Sequence, residues 1–249
     1  MINIVIPMAG LGNRFAIAGY DKPKPFIDVL GKPMIERVME NIYIPNSRFI
    51  LIVRKEHLEK EIILIEHIKA KYPGTVFLVI DKLTEGTACT VLYAKKFIDN
   101  GDVLLIANSD QIVDVNINYF LEDCLNRNLD GSILTFKDLE RNPKWSFAKT
   151  NNEGLVKEVK EKEAISSDAT VGIYLYKRGK DFVNATIQMI IENDRVNSEF
   201  YTCPAYNYAI SNGKRIGIYE IPVEAMHGIG TPEDLKLYIN KLENLNLRE

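Results

Sequence analysis

Ile2-Asn3-Ile4-Val5-Ile6-Pro7-Met8-Ala9-Gly10-Leu11-Gly12-Asn13-Arg14-Phe15, followed closely by Lys22-Pro23-Lys24-Pro25-Phe26, is the stretch on which the fold turns. The apolar run Ile2–Ile6 predicts a buried strand. It breaks into a glycine turn that carries Arg14, with Lys22 and Lys24 close behind. Gly10 and Gly12 have no Cβ to hold off an approaching group. The amide N–H groups of such a turn form a concave anion site, and the three basic side chains can supply full charges to it. Phe15 stands where a dinucleotide fingerprint wants its third glycine, and the P-loop spacing is absent. The glycines alone also fit an ordinary strand-to-loop turn. Their combination with Arg14 and Lys-Pro-Lys-Pro points to a polyanion.

Working outward, Phe49–Val53, Val76–Ile80 and Val103–Ala107 read as further strands. Between them Ile35, Val38, Met39 and Ile42, then residues 56–70 and 87–98, have helical spacing. Pro33 is placed as a first-turn proline. Strands alternating with helices predict an α/β fold with a mostly parallel, mixed sheet covered on both faces. In the second half Ser132–Phe136, Trp145–Lys149, Leu155–Val159, Val171–Tyr176 and Arg215–Tyr219 read as strands. Helices are expected over 180–192, over 199–211 and from Thr231, where Leu235, Tyr238, Ile239 and Leu242 form a stripe. The Lys/Glu cluster at 157–163 reads as a solvated strand end. With no repeat or Pro/Gly/Ser-rich linker, one domain over 1–249 is expected.

The 249 residues carry a net charge of −3, which advertises no nucleic-acid partner. No apolar run reaches the ~20 residues of a membrane span, and no leader pattern opens the chain. Cys89, Cys124 and Cys203 match neither a zinc spacing nor a disulfide framework, so a reducing cytoplasm is expected. Nothing decides between a monomer and a homo-oligomer. Ligands of open α/β sheets bind beyond the carboxyl ends of the strands. Asn108-Ser109-Asp110 follows a strand there, as the glycine loop does. Asp110 is the natural ligand for the Mg²⁺ that accompanies phosphate substrates, and Asp114 reads as a residue at a helix start.

The chain resembles the sugar-phosphate nucleotidyltransferases, or pyrophosphorylases, over essentially its whole length. Ala9 to Phe15 resembles their N-terminal loop. Pro23-Lys24-Pro25-Phe26 with Gly31-Lys32-Pro33-Met34-Ile35 resembles their lysine motif and helix, and Gly86-Thr87-Ala88 their base-side loop. Asp110 matches the metal aspartate, Glu161-Lys162 the pair that contacts the second substrate, and Gly172 the glycine of the next strand. Gly230-Thr231-Pro232-Glu233-Asp234-Leu235 resembles the C-terminal motif.

The resemblance implies the three-layer nucleotide-diphospho-sugar transferase fold, which is Rossmann-like, and a reaction. An NTP and a phosphomonoester give an NDP-linked product and pyrophosphate. Arg14 would hold the β- and γ-phosphates, Lys24 the α-phosphate, and Asp110 the Mg²⁺. Lys162, Glu161, Gly172 and Glu199 would face the acceptor, with Arg141, Lys144, Trp145 and Tyr201 as further candidates. The base is expected between Met8, Ala9, Gly10 and Gly12 on one side and the segment Asp81–Ala88, with Glu85, Gly86, Thr87 and Ala88, on the other. Thymidylyl members have a glutamine five positions before the loop glycine, and Asp81 stands there. A carboxylate only accepts hydrogen bonds, which suits the amino group of cytosine or the N–H edge of guanine and favours CTP. The chain is most similar to the shorter members of capsule and surface-polysaccharide gene clusters, some of which activate non-sugar phosphates such as phosphocholine or phosphoglutamine.

One departure stands out. Gly228 occupies the place of an aspartate that often serves the family as second metal ligand. Glu224 and His227 are the nearest candidates, whereas Asp234 reads as part of a capping arrangement behind Thr231. Two other functions are weighed. A glycosyltransferase of the same fold would want Asp-x-Asp, and Asn108-Ser109-Asp110 holds one of the two acids. A non-catalytic nucleotide-binding regulator would not need the full set of Arg14, Lys24 and Asp110.

Overall fold

A computed structural model describes residues 1–246. The first strand, β1 (Ile2–Pro7), is buried because its residues alternate between two covered faces: Ile4 and Ile6 join one apolar cluster and Val5 the other. After a short helix α1 (Asn13–Ile17), a two-residue hairpin, β2 (Asp28–Val29) and β3 (Lys32–Pro33), leads into α2 (Met34–Asn41). Strand β4 (Ser47–Arg54), helices α3 (Lys55–Lys60) and α4 (Ile62–Lys71), and β5 (Val76–Ile80) follow. Then come α5 (Thr87–Leu92), α6 (Lys95–Ile98), β6 (Val103–Ala107), β7 (Gln111–Val113) and α7 (Ile117–Asn126). The second half runs β8 (Gly131–Lys137), β9 (Ser146–Thr150), β10 (Val156–Glu161), β11 (Asp168–Tyr176), α8 (Gly179–Ile191), α9 (Ala205–Ser211), β12 (Ile216–Glu220), β13 (Met226–Gly228) and α10 (Pro232–Asn246).

Nine strands form one mixed sheet in the order β10-β9-β11-β6-β1-β4-β5, with β8 joined to β11 and β12 to β8. The first-half strands are parallel to one another, and β11 runs antiparallel to both β6 and β8. Residues from α2, α4 and α7 cover one face; α5, α6, α8 and α9 cover the other. This is the expected α/β sandwich of helix, sheet and helix. Among the described residues no helix is long and apolar enough to cross a membrane, and the three cysteines are free.

The structure departs from the pattern reading at five points, the first being that the helix expected over 87–98 splits into α5 and α6 at Tyr93 and Ala94. The helix expected over 56–70 breaks at Glu61 (φ −121°, ψ 36°), whose carboxylate lies 3.7 Å from Lys22. Lys22 therefore ties a helix break and does not line the cleft. Pro33 is not inside the first turn of α2 but caps it. The helix expected over 199–211 starts only at Ala205, because Phe200 is bonded through both backbone groups to the loop at 85–88. Asp114 caps nothing, since Asn116 caps α7 and Asp114 accepts from His227 and Lys241 at 2.8 and 2.7 Å. The capping reading at the last helix holds: the Asp234 amide donates to Thr231 Oγ1 at 3.1 Å.

Helix α9 is fixed to the sheet by Tyr206. Its ring stacks on Tyr176 with centroids 4.5 Å apart, and its hydroxyl reaches the carbonyls of Ser132 and Leu175 at 3.0 Å each. Tyr206→Phe strands that polar contact in a dry core. A loss of about 1–2 kcal/mol is expected, read as a lower midpoint at unchanged slope in urea unfolding.

Candidate functional site

The cleft opens along the carboxyl ends of β1, β5 and β6. The amide of Met8 donates to the Ile52 carbonyl at 2.9 Å, so the glycine loop leaves β1 at a fixed angle beside β4. Gly12 has φ +65°, and a Cβ there would stand 3.1 Å from Lys24 Cβ. That glycine is what lets the loop lie directly on the lysine segment. Lys24 begins a single helical turn between Pro23 and Pro25. Phe26 is fully buried, with its ring edge-on to His57, and anchors the turn. The Lys24 ammonium meets Asp110 Oδ2 at 2.5 Å across the cleft. Met8, Gly10, Gly12, Lys24, Asn108 and Asp110 line a cavity of about 260 Å³ around that pair. Arg14, on the first turn of α1, faces the adjoining chamber that Asp110 shares.

Among the described residues no group of three or more His, Cys, Asp or Glu could hold a metal ion. Mg²⁺ does not need one, because it is usually held by one or two carboxylates with waters and substrate phosphates. Asp110 supplies a carboxylate, and the next residue, Gln111, has a buried side-chain oxygen with no hydrogen-bond partner among the described residues. Hard oxygen donors of this kind fit Mg²⁺. Glu224 and His227 do not line the cleft cavities, and His227 Nε2 donates to Asp114.

A second hollow, of about 240 Å³, lies between Ala9 and Gly10 on one side and Leu83, Thr84, Gly86 and Thr87 on the other. Its far wall is built by the segment after α8. Gly86 has φ +118°, and any Cβ there would overlap the Phe200 backbone. The Phe200 amide donates to the Glu85 carbonyl at 2.7 Å, and the Ala88 amide donates to the Phe200 carbonyl at 3.0 Å. The Glu85 carboxylate is paired with Arg195 at 2.5 Å. Glu85 and buried Ala88 therefore build the loop and do not line the hollow. Asp81 lies outside it too: it lines a neighbouring depression with Arg54, Lys55, Glu56 and Glu59. The carboxylate that does face the hollow is Glu199, expected instead at the acceptor.

The third part is a chamber of about 310 Å³ whose wall combines Arg14, Asp110, Lys144, Trp145, Glu161, Lys162 and Tyr201. Gly172 (φ +90°) sits in a β11 irregularity, and a Cβ there would overlap the Asn108 amide. It makes room for Asn108, whose own amide donates to the Gly172 carbonyl at 3.0 Å. Lys162 is held left-handed at φ +58° with its amide on the Trp145 carbonyl. Its ammonium donates to the Tyr201 hydroxyl at 2.7 Å, which pushes the lysine above its ordinary value. Glu161 is not solvated, although it stands in the charged cluster at 157–163. Burial pushes its carboxyl up against a short bond donated by Ser146. Ser146 was missed in the sequence, and the signal for it is the pairing of β9 with β10, in which it opposes Glu161. Arg141 is exposed and lies outside the chamber lining. A larger open groove, about 770 Å³, lies beside the β9–β10 hairpin. Its polar, solvated lining sets no cation against Asp110.

Comparison with known proteins agrees with this geometry. The family model described as "Nucleotidyl transferase" matches residues 4–234. The bifunctional protein GlmU of Thermodesulfovibrio yellowstonii is 27% identical over 252 residues, covering 98% of this chain and 52% of that protein. The mannose-1-phosphate guanylyltransferase catalytic subunit beta of Drosophila melanogaster is 27% identical over 180 residues, covering 69% and 47%. The chain thus spans about half the length of these curated relatives. Among solved structures, the nucleoside-diphosphate-sugar pyrophosphorylase of Vibrio cholerae RC9 superposes with a TM-score of 0.83 at 25% identity, over 95% of this chain and 99% of that one. With a family model matched from the first strand to the start of the last helix, this chain belongs to the nucleotidyl transferase family.

Proposed function

We propose that this nucleotidyltransferase moves a nucleoside monophosphate from an NTP to a small phosphomonoester and releases pyrophosphate. The observation that carries this reading is the Lys24–Asp110 pair, flanked by a glycine loop on one side and by the chamber of Arg14 and Lys162 on the other. Both reactants are anions, so their mutual repulsion is the main barrier. No side chain needs to act as a nucleophile; fixed charge and position suffice. Lys24 neutralises the α-phosphate as the acceptor oxygen bonds to it. Arg14 holds the β- and γ-phosphates with a planar fork suited to paired phosphate oxygens, and these depart with the electrons of the broken bridging P–O bond. Lys162 holds the incoming phosphate in line. Mg²⁺, held at Asp110, would supply further charge neutralisation on the phosphates.

For the base we propose CTP. Asp81 lies outside the hollow, and Glu199 is the acceptor-only group on its wall. Such a group is matched by an amino-bearing base. The chamber of about 310 Å³ suits a small acceptor, a sugar phosphate or a compact non-sugar phosphate such as phosphoglutamine or phosphocholine. Synthesis of capsule or surface-polysaccharide precursors in the cytoplasm is the setting that the resemblance suggests.

Mixing the protein with Mg²⁺, each of four NTPs and a panel of phosphomonoesters should release pyrophosphate, with CTP favoured over UTP and dTTP. No release from any pair overturns the reading. Glu199→Gln should erode the preference, whereas Asp81→Gln should leave it intact. Arg14→Ala and Lys24→Ala should each lower kcat about 100-fold or more, while thermal unfolding shows both variants folded.

Glu161 gives a prediction in pH. Its folded value is raised above the ordinary 4.5, so the native state holds the proton more tightly than the unfolded chain does. Stability then falls as pH rises through the interval above 4.5. Glu161→Gln removes the desolvated charge. At neutral pH the variant should unfold at the wild-type temperature or above it, and the difference should vanish below pH 4.5. Its KM for the phosphomonoester should rise.

A further inference from the structure

The ribbon that continues from Asp110 leaves one polar atom unaccounted for. Gln111 opens β7, is 9% exposed, and lines the chamber with Arg14, Asn108 and Asp110. Its Oε1 is sealed from solvent and has no hydrogen-bond partner among the described residues. Buried carbonyl oxygens are seldom left so, because the lost hydration is not recovered. Three lysines of the cleft are engaged elsewhere, and Arg14, which lines the same chamber, makes no bond to this oxygen. Lys24 is on Asp110, Lys162 on Tyr201, and Lys144 stands 4.5 Å over the Trp145 ring.

The opposing strand is shaped around these two residues. Gly228 pairs with Gln111 across the β7–β13 ribbon, and a Cβ on Gly228 would stand 3.9 Å from Gln111 Oε1. A Cβ on Gly230 would overlap the Asp110 carboxylate. The Asp110 carbonyl meanwhile accepts from the Ile229 amide at 2.9 Å, which fixes the two segments side by side. Two glycines of one segment thus face a carboxylate and an amide oxygen from consecutive residues. A side chain at Gly228 would fill the ground into which the Gln111 oxygen reaches.

We propose that Gln111 Oε1 is a second, neutral oxygen ligand, beside the Asp110 carboxylate, for the divalent cation that arrives with the NTP. The inference rests on the nucleotidyl-transfer reading for the arrival of that cation. Amide and carboxylate oxygens are the hard donors that Mg²⁺ and Mn²⁺ take. One carboxylate and one amide carry a single negative charge, and phosphate oxygens and waters complete the octahedron. The neutral donor binds the cation without adding a charge that would repel the phosphates.

The test is binding, not turnover. Mn²⁺ affinity is measured by the loss of its free EPR signal, with α,β-methylene-CTP present. Gln111→Leu should weaken Mn²⁺ binding about tenfold or more, at an unfolding temperature equal to or above that of wild type. Gln111→Glu should bind Mn²⁺ at least as well as wild type. Adding Gly228→Asp to Gln111→Leu should recover affinity, since the carboxylate enters the same ground. Mn²⁺ affinity of Gln111→Leu within twofold of wild type overturns the proposal. So does an unchanged Mn²⁺ affinity with a raised KM for the phosphomonoester, which would assign Gln111 to the acceptor. Should Gln111→Leu not fold, loss of Mn²⁺ binding in Gln111→Glu overturns it as well. Absence of Mn²⁺–nucleotide binding by the wild type overturns both this proposal and the reading on which it rests.

Discussion

A lysine ammonium and an aspartate carboxylate 2.5 Å apart, on the loops that leave two adjacent parallel strands, set the terms for the rest of the molecule. Strands β1 and β6 lie side by side, so the residues beyond their carboxyl ends must share one crevice. Lys24 comes from the first loop and Asp110 from the second. The pair is partly buried at the edge of a cleft, and its geometry is secured by the segments around it. Pro23, Pro25 and the buried Phe26 secure the lysine. The β7–β13 ribbon and the bond from Ile229 secure the aspartate. The pair is thus held from outside, and its charges stay available to phosphate and to a cation.

Glycine is used in the cleft mainly to create room for a neighbour. Gly12 yields to Lys24, Gly86 to Phe200, Gly172 to Asn108 and Gly230 to Asp110. Gly12, Gly86 and Gly172 also have positive φ, where a side chain is strained whatever the space. The consequence reaches across the cleft. Phe200 is locked to the base-side loop through Glu85 and Ala88, while Tyr201, the next residue, holds Lys162 in the acceptor chamber. The 85–88 loop and the Lys162 wall of the chamber are therefore joined by one residue step of backbone. Arg195 reinforces the joint, pairing with Glu85 and lying 4.2 Å over the Phe200 ring.

The first half of the fold was legible because its strands are continuous apolar runs, the mark of strands buried on both faces. The placement of Arg14, Lys24, Asp110 and Lys162 along one cleft was legible too, through motif order and the rule for strand ends. What was not legible depends on contacts between distant segments. Asp81 has the right spacing from Gly86, yet the chain turns it toward Arg54 and Glu56. Residues 199–204 have helical apolar spacing, but two backbone bonds to the 85–88 loop outweigh that local preference. Glu161 sits in a run of lysines and glutamates that reads as solvated. Its burial follows from pairing β10 against β9, which no local pattern reveals. Gln111 looks like an ordinary strand residue until the opposite glycines are seen.

The net charge of −3 at first sight suits a protein that avoids phosphate. The resolution lies in where the charges stand, since the field in a cleft is set by its own lining. Arg14, Lys24, Lys144 and Lys162 gather at the cleft, while many of the acids are bound in pairs outside it, as in Glu36 and Glu40 with Lys71 or Asp114 with Lys241. Two of the acids that do enter are constrained. Asp110 is matched by Lys24, and Glu161 is raised by burial until its charge is costly to keep. A desolvated carboxylate bonded, among the described residues, by Ser146 alone gains from any further donor. In the proposed reaction a hydroxyl or amino group on the acceptor would provide one, with the phosphate end drawn to the lysines. On the proposed reaction, such a chamber would orient a phosphomonoester by its own polarity, with its phosphate toward the lysines.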